Sequence, residues 1–249
     1  MKSVVAINKS TDALQEWPSD ARVKYEIGAE LNAQIVVDNL DRSIAKIEEK
    51  HYSQFIKPIN IYVLANISSV EAYCISPKVG ACVSNQRLFI SPKPENTPQR
   101  IPRLLLHELS HLHLEQHLGL YKSLLSVPSW YSEGLAVYTS DGAGAENISK
   151  EDASNSIIIG KTFEPVEEGS ILFPKTARDY DLKPHMFYRQ SEIFVNWLHD
   201  SNPEKFKRFN LEIQNGKTLG ESVLFVYGIT VKNMWEQFVN ELKTNPLSM

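Results

Sequence analysis

The sequence predicts an α+β fold, with strands and helices mixed in the first half and helices dominating the second. Three observations carry this. Arg22–Ile27 alternates polar and apolar side chains, the mark of a half-buried strand. From Glu30 to about Glu49, Leu31, Ile35, Leu40, Ile44 and Ile47 recur at steps of three to five, the spacing of one helix face. Beyond residue 185 the apolar spacing is helical throughout, over about 186–200, 203–214 and 230–243.

The remaining elements follow from punctuation. Pro58 opens a short apolar run, Ile59–Leu64, that reads as a buried strand. A short helix is expected at 68–75. Gly80 introduces another strand-like stretch, clearest at Arg87–Ser91 and ended by Pro92 and Pro94. Thr97 followed by Pro98 is a helix start, and that helix runs to Leu118 with Gly119 as its cap. Pro128 opens a second helix through Thr139. Residues 141–156, rich in Gly, Ser, Asn and acids, read as a mobile surface loop, and 156–184 as irregular chain. The 249 residues contain no internal repeat. They divide by pattern into an N-terminal extension (1–20), an α/β lobe (21–140) and a mainly helical lobe (141–249).

Composition narrows the function. The chain is 42% hydrophobic and 22% charged, so it can bury a sizeable core. Its formal net charge of −4 argues against general nucleic-acid binding, which calls for a basic excess. No apolar run reaches the roughly 18 residues of a membrane span. Met1-Lys2-Ser3 and then Val4–Ile7 form too short an apolar core for a signal peptide. The mature form of a secreted protein would look the same. The compartment therefore stays open: cytoplasmic, or secreted or periplasmic if a leader was removed. Oligomeric state is equally open. Cys74 and Cys82 are too few for a disulfide scaffold, and both a single bridge and two free thiols fit the sequence.

The chemistry is concentrated in His107-Glu108-Leu109-Ser110-His111, an H-E-x-x-H pattern inside a predicted helix. Four helical residues advance about 400°, so the two imidazoles sit roughly 40° apart, one turn from each other. Both can reach one tetrahedral zinc ion. Glu108 lies about 100° around from His107, beside the metal rather than on it, where its carboxylate can take a proton from a water. A third ligand is expected at Glu133, in Trp130-Tyr131-Ser132-Glu133-Gly134-Leu135-Ala136. Residues 112–132 suffice to finish one helix and return on the next. Two His and one Glu leave a coordination position open, as in catalytic zinc sites. Gly134 and Ala136 are small enough for that second helix to pack closely. His113 and His117 point roughly 240° and 280° away from His107 and read as solvent-facing. Glu164, Glu167 and Glu168 read as a solvated face.

Together, H107-E-L-S-H111 and W130-Y-S-E133-G-L-A resemble the gluzincin metallopeptidases, and most nearly the small bacterial peptidase MA-like domains. The resemblance spans about Arg22–Leu242 and implies a zincin-like fold over a single catalytic domain, 1–249. It implies that His107, His111 and Glu133 bind Zn2+ and that Glu108 is the general base. It also brings in Tyr188, in Phe187-Tyr188-Arg189-Gln190-Ser191, at a point comparable to the catalytic tyrosine of aminopeptidase N-type enzymes. A phenol is protonated at neutral pH and can donate to an oxyanion. Tyr188 fits a core helix tyrosine equally well, and His185 is an alternative donor. Two departures from the family pattern stand out. Gly80-Ala81-Cys82-Val83-Ser84-Asn85 lacks the glutamate with which aminopeptidases of this group hold the substrate amine. Val137 replaces the aspartate that follows the glutamate ligand in thermolysin-like enzymes.

The reading is therefore a zinc-dependent peptidase acting on peptides or proteins, an endopeptidase rather than an aminopeptidase. An extended substrate would add to the edge strand expected around Val83–Ile90. The alternative is a catalytically inactive zinc-binding domain that holds peptides or protein partners.

Overall fold

Five short strands form one sheet in the order β1-β2-β3-β5-β4. They are β1 (Gln15–Trp17), β2 (Asp20–Tyr25), β3 (Ile61–Val63), β4 (Ala81–Ser84) and β5 (Arg87–Ile90). The computed structural model describes residues 9–74, 76–93 and 97–244. Val4–Ile7 and Pro94, discussed above, lie outside the described residues. The chain divides into two compact units, one of Met1–Lys50 with Gln54–Gln116 and the other of His51–Ser53 with His117–Met249.

In the first unit, β2, β3 and β5 are parallel, and β1 and β4 run antiparallel at the two edges. Parallel neighbours need crossovers, which helices α1 (Glu30–His51) and α2 (Ile67–Tyr73) provide. Strand alternation sorts side chains onto two faces. Ile61, Val63, Leu88 and Ile90 join a buried core with Val36, Leu40 and Ile47 of α1 and Ile101, Leu105, Leu109 and Leu112 of α3 (Ile101–Leu118). Tyr62, Leu64 and Phe89 turn the other way, onto Val70, Tyr73 and Cys74. Cys74 and Cys82 are bridged, which joins the end of α2 to edge strand β4. Ser84 and Arg87 pair across a two-residue turn, Asn85-Gln86, with both residues at positive φ (51° and 59°), the geometry that matches strand twist.

The second unit is helical. It holds α4 (Leu120–Ser126), α5 (Ser129–Thr139), α6 (Lys150–Ile158), α7 (Pro184–Ser201), α8 (Pro203–Gln214), α9 (Leu219–Tyr227) and α10 (Val231–Thr244). Phe163, Phe187 and Phe194 are fully buried, and Trp130 and Trp235 pack on Phe163 and Phe194. Helices α5 and α7 approach closely at Gly134. A Cβ added at Gly134 would lie 2.7 Å from the Ser191 carbonyl oxygen, so only glycine permits this spacing.

Several expectations are corrected. Residues 141–156 are not one mobile loop: Ser149 caps α6 by accepting from Asp152 N, and Ala143 and Ala145 are buried. Pro98 opens a 3-10 turn, with the α-helix proper starting at Ile101 and no side-chain cap from Thr97. Leu31 is exposed, because the buried stripe of α1 runs through Ala33, Val36, Leu40 and Ile47. In the strand region expected to receive substrate, β4 alone is an edge, and β5 is enclosed between β3 and β4. Helices α4 and α9 and strand β1 were not foreseen.

Candidate metal centre

Helix α3 places His107, Glu108 and His111 within the first unit. His107 and Glu108 are buried and His111 is half-buried. The Nε2 atoms of His107 and His111 lie 3.2 Å apart, with the rings steeply inclined. Two ligands about 2.0–2.1 Å from a tetrahedral ion stand about 3.3–3.4 Å apart. The pair is thus spaced as two ligands of one ion. The donor set also suits zinc, whose preferred partners include imidazole nitrogen and carboxylate oxygen.

The C-terminal part of α3 is fastened to its own sheet. Glu115 accepts from Gln86 N at 2.6 Å in the β4–β5 turn, and Gln116 accepts from Lys57 N at 2.9 Å ahead of β3. Burial raises the Glu115 pKa, and the Gln86 hydrogen bond opposes that rise. His113, expected to face solvent, is fully buried, with its ring edge against Phe55 at 4.9 Å. His117 is half-buried. His113 is covered because Phe55 packs on a flank of α3 that helical periodicity alone leaves open.

In the second unit, Glu133 projects from α5 beside Gly134. Glu133 and Tyr188 line one cavity of about 850 Å³, together with Ser129, Phe187 and the chain from Thr176 to Pro184. The close α5–α7 approach at Gly134 and Ser191 brings these two side chains to a common wall. His185, one turn before Tyr188's helical neighbours, instead has Nδ1 3.8 Å from the Glu146 carboxylate. His107 and His111 thus belong to the first unit, and Glu133, the expected third ligand, to the second. Glu164, Glu167 and Glu168 are exposed, as expected.

Sequence reasoning missed two features here. Arg189, next to Tyr188, donates to Ile148 O and Ala145 O and pairs with Glu192, so it pins the 142–148 segment against α7. The Thr176–Asp179 turn supplies a wall of the cavity. Its T-x-x-D spacing, with mutual Thr176 and Asp179 side-chain bonds, was a readable capping signal.

An imidazole pair at ligand spacing on one helix can hold a metal ion. Consistent with this, residues 40–244 match the family model of the peptidase MA superfamily, and the chain belongs to that superfamily. A search of curated proteins finds no match. No helix among the described residues is long and apolar enough to cross a membrane.

Proposed function

We propose that the chain is a zinc-dependent metallopeptidase that hydrolyses internal peptide bonds, with residues 1–249 working as one catalytic domain. The observation that carries this is the 3.2 Å Nε2–Nε2 spacing of His107 and His111, which flank Glu108 on one helix of a peptidase MA superfamily chain. His107, His111 and Glu133 would hold the ion. Zinc, when bound, supplies a Lewis acid and lowers the pKa of water at that position toward about 7.

The chain's own residues account for the proton movements. Glu108 accepts a proton from the attacking water and later delivers it to the leaving amine nitrogen. Its burial keeps bulk water from competing for that proton. Tyr188 donates its phenolic hydrogen to the developing oxyanion. Tyr188 is favoured over His185 because it shares a cavity with Glu133, whereas His185 faces Glu146. Strand β4 is at one edge of the sheet, where an extended peptide can pair by strand addition. The endopeptidase preference rests on the Gly80–Asn85 segment, which carries no glutamate to hold a substrate amine.

The deciding experiment is Glu108→Gln, assayed on a peptide library with metal content measured in parallel. The variant is expected to keep its zinc and lose at least about 100-fold in turnover. Wild-type rates in a metal-loaded variant would refute the assigned base. Zinc binding with no cleavage by wild type would favour the inactive peptide-binding alternative, which the superfamily also accommodates.

A further inference from the structure

We propose that the cavity shared by Glu133 and Tyr188 recognises a substrate carboxylate through Arg178, assisted by Lys183. This rests on the peptidase reading and adds the substrate class to it.

The Thr176–Pro184 lining of the cavity is a built structure. Ser129, in the first turn of α5, donates to Lys175 O and so fixes the start of the wall to the helix that carries Glu133. Thr176 and Asp179 cap each other around the 3-10 turn Ala177–Tyr180. Ala177 is buried, and the Tyr180 hydroxyl donates to Glu164 O at 2.9 Å. Asp181 then takes a left-handed conformation, φ 53°, and Leu182 N returns to Ala177 O. The reversal places Arg178 and Lys183 on one lining although they are separated in sequence. Lys183 is the residue before α7, which carries Tyr188 one turn later.

The charges in this lining have different availability. Asp179 is committed: one carboxylate oxygen accepts from both Thr176 N and Thr176 Oγ1. Glu133 belongs to the metal ligand set. Arg178 and Lys183 have no side-chain hydrogen bond or ion pair with the described residues. Asp181 is the remaining acid, so two uncommitted cations face one uncommitted carboxylate. A planar guanidinium is shaped for bidentate carboxylate recognition, and a wall fixed at both ends loses little entropy on binding. About 850 Å³ accommodates more than one residue of an extended peptide. A carboxylate there has two sources: an Asp or Glu side chain near the scissile bond, or the free C-terminus of a short peptide.

The test measures cleavage of matched peptides by wild type, Arg178→Ala and Arg178→Glu. One arm compares Glu, Gln and Lys at each position within three residues of the scissile bond. The other compares free and amidated C-termini. Wild type is expected to favour one carboxylate-bearing peptide by at least tenfold in kcat/KM. Arg178→Ala should remove that preference while still cleaving the neutral peptide, and Arg178→Glu should turn it toward Lys. The first arm responds if a side chain is read, the second if a C-terminus is read. Cleavage with no carboxylate preference, or a preference unchanged in Arg178→Ala, overturns this inference and leaves the peptidase reading intact. Absence of cleavage of every peptide by zinc-loaded wild type overturns both.

Discussion

Glu115 on α3 holds the turn of the β4–β5 hairpin: its carboxylate accepts a hydrogen bond from the Gln86 amide at 2.6 Å. The bond ties the helix bearing His107 and His111 to the edge of the sheet. It also satisfies a backbone donor in a turn whose two residues both have positive φ.

That bond carries a pH signature. Burial is the larger influence on Glu115 and moves its pKa above the ordinary value of 4.5. Below the unfolded value both states hold the proton, and Glu115 contributes no pH dependence. Above it the unfolded chain releases the proton first, so stability declines as pH rises toward the folded value and then levels off. Glu115→Gln keeps an acceptor for Gln86 N and removes the titration. Urea midpoints of both proteins between pH 4 and 8 are expected to diverge in favour of the variant as pH rises. A difference that stays constant over this range would refute the assignment.

Much of the fold was legible because its signals are local. The Arg22 strand, the Glu30 helix and the Pro128 helix appear within a few residues of their expected limits. The H-E-x-x-H pair was legible for the same reason, since helical geometry alone fixes its spacing. What escaped was decided by tertiary packing or by weak caps. Helix α6 hid within a stretch of turn-like composition, although Ser149 and Asp152 stand at capping distance. Helix α9 was announced by Thr218 and Glu221, which form a mutual cap, and by Gly228 in the left-handed conformation. The burial of His113 depends on Phe55, a contact that no periodicity along α3 encodes. Arg178 and Lys183 gained meaning only once the chain reversal at Asp181 set them on one wall.

Gly134 is expected to be intolerant of substitution. A methyl group there meets the Ser191 carbonyl at 2.7 Å and the Val195 side chain at 2.9 Å. The first contact is with backbone inside α7, which has little room to yield. Gly134→Ala should cost about 1–3 kcal/mol in chemical denaturation, typical of overpacking. It should also depress turnover, because Glu133 and Tyr188 are carried by the two helices forced apart. Wild-type stability in the variant would mean that α5 and α7 are not pressed together as described.

The Cys74–Cys82 bridge closes a short loop, with a sequence separation of 8, and secures edge strand β4 to α2. Constraining a loop of that size in the unfolded chain stabilises by roughly 2–3 kcal/mol. Adding reductant should therefore lower the wild-type denaturation midpoint and leave the Cys74→Ala/Cys82→Ala double variant unchanged. Equal sensitivity of the two proteins to reductant would argue that the cysteines are not joined in solution.

Metal dependence can be read without any substrate. Wild type is expected to carry about one zinc per chain by mass spectrometry, and Glu133→Ala much less, because two imidazoles alone leave the ion poorly held. Zinc that binds only the folded state also stabilises it. At a free concentration a hundred times Kd the gain is about 2.7 kcal/mol, or a thermal midpoint shift of several degrees for a chain of this size. The shift should appear when zinc is added to chelator-treated wild type and be absent in His107→Ala, since the 3.2 Å pair cannot form without that ring. Full zinc in Glu133→Ala would keep the histidine pair but remove Glu133 from the ligand set. No zinc and no thermal shift in wild type would leave α3 as a helix whose buried histidines serve packing alone.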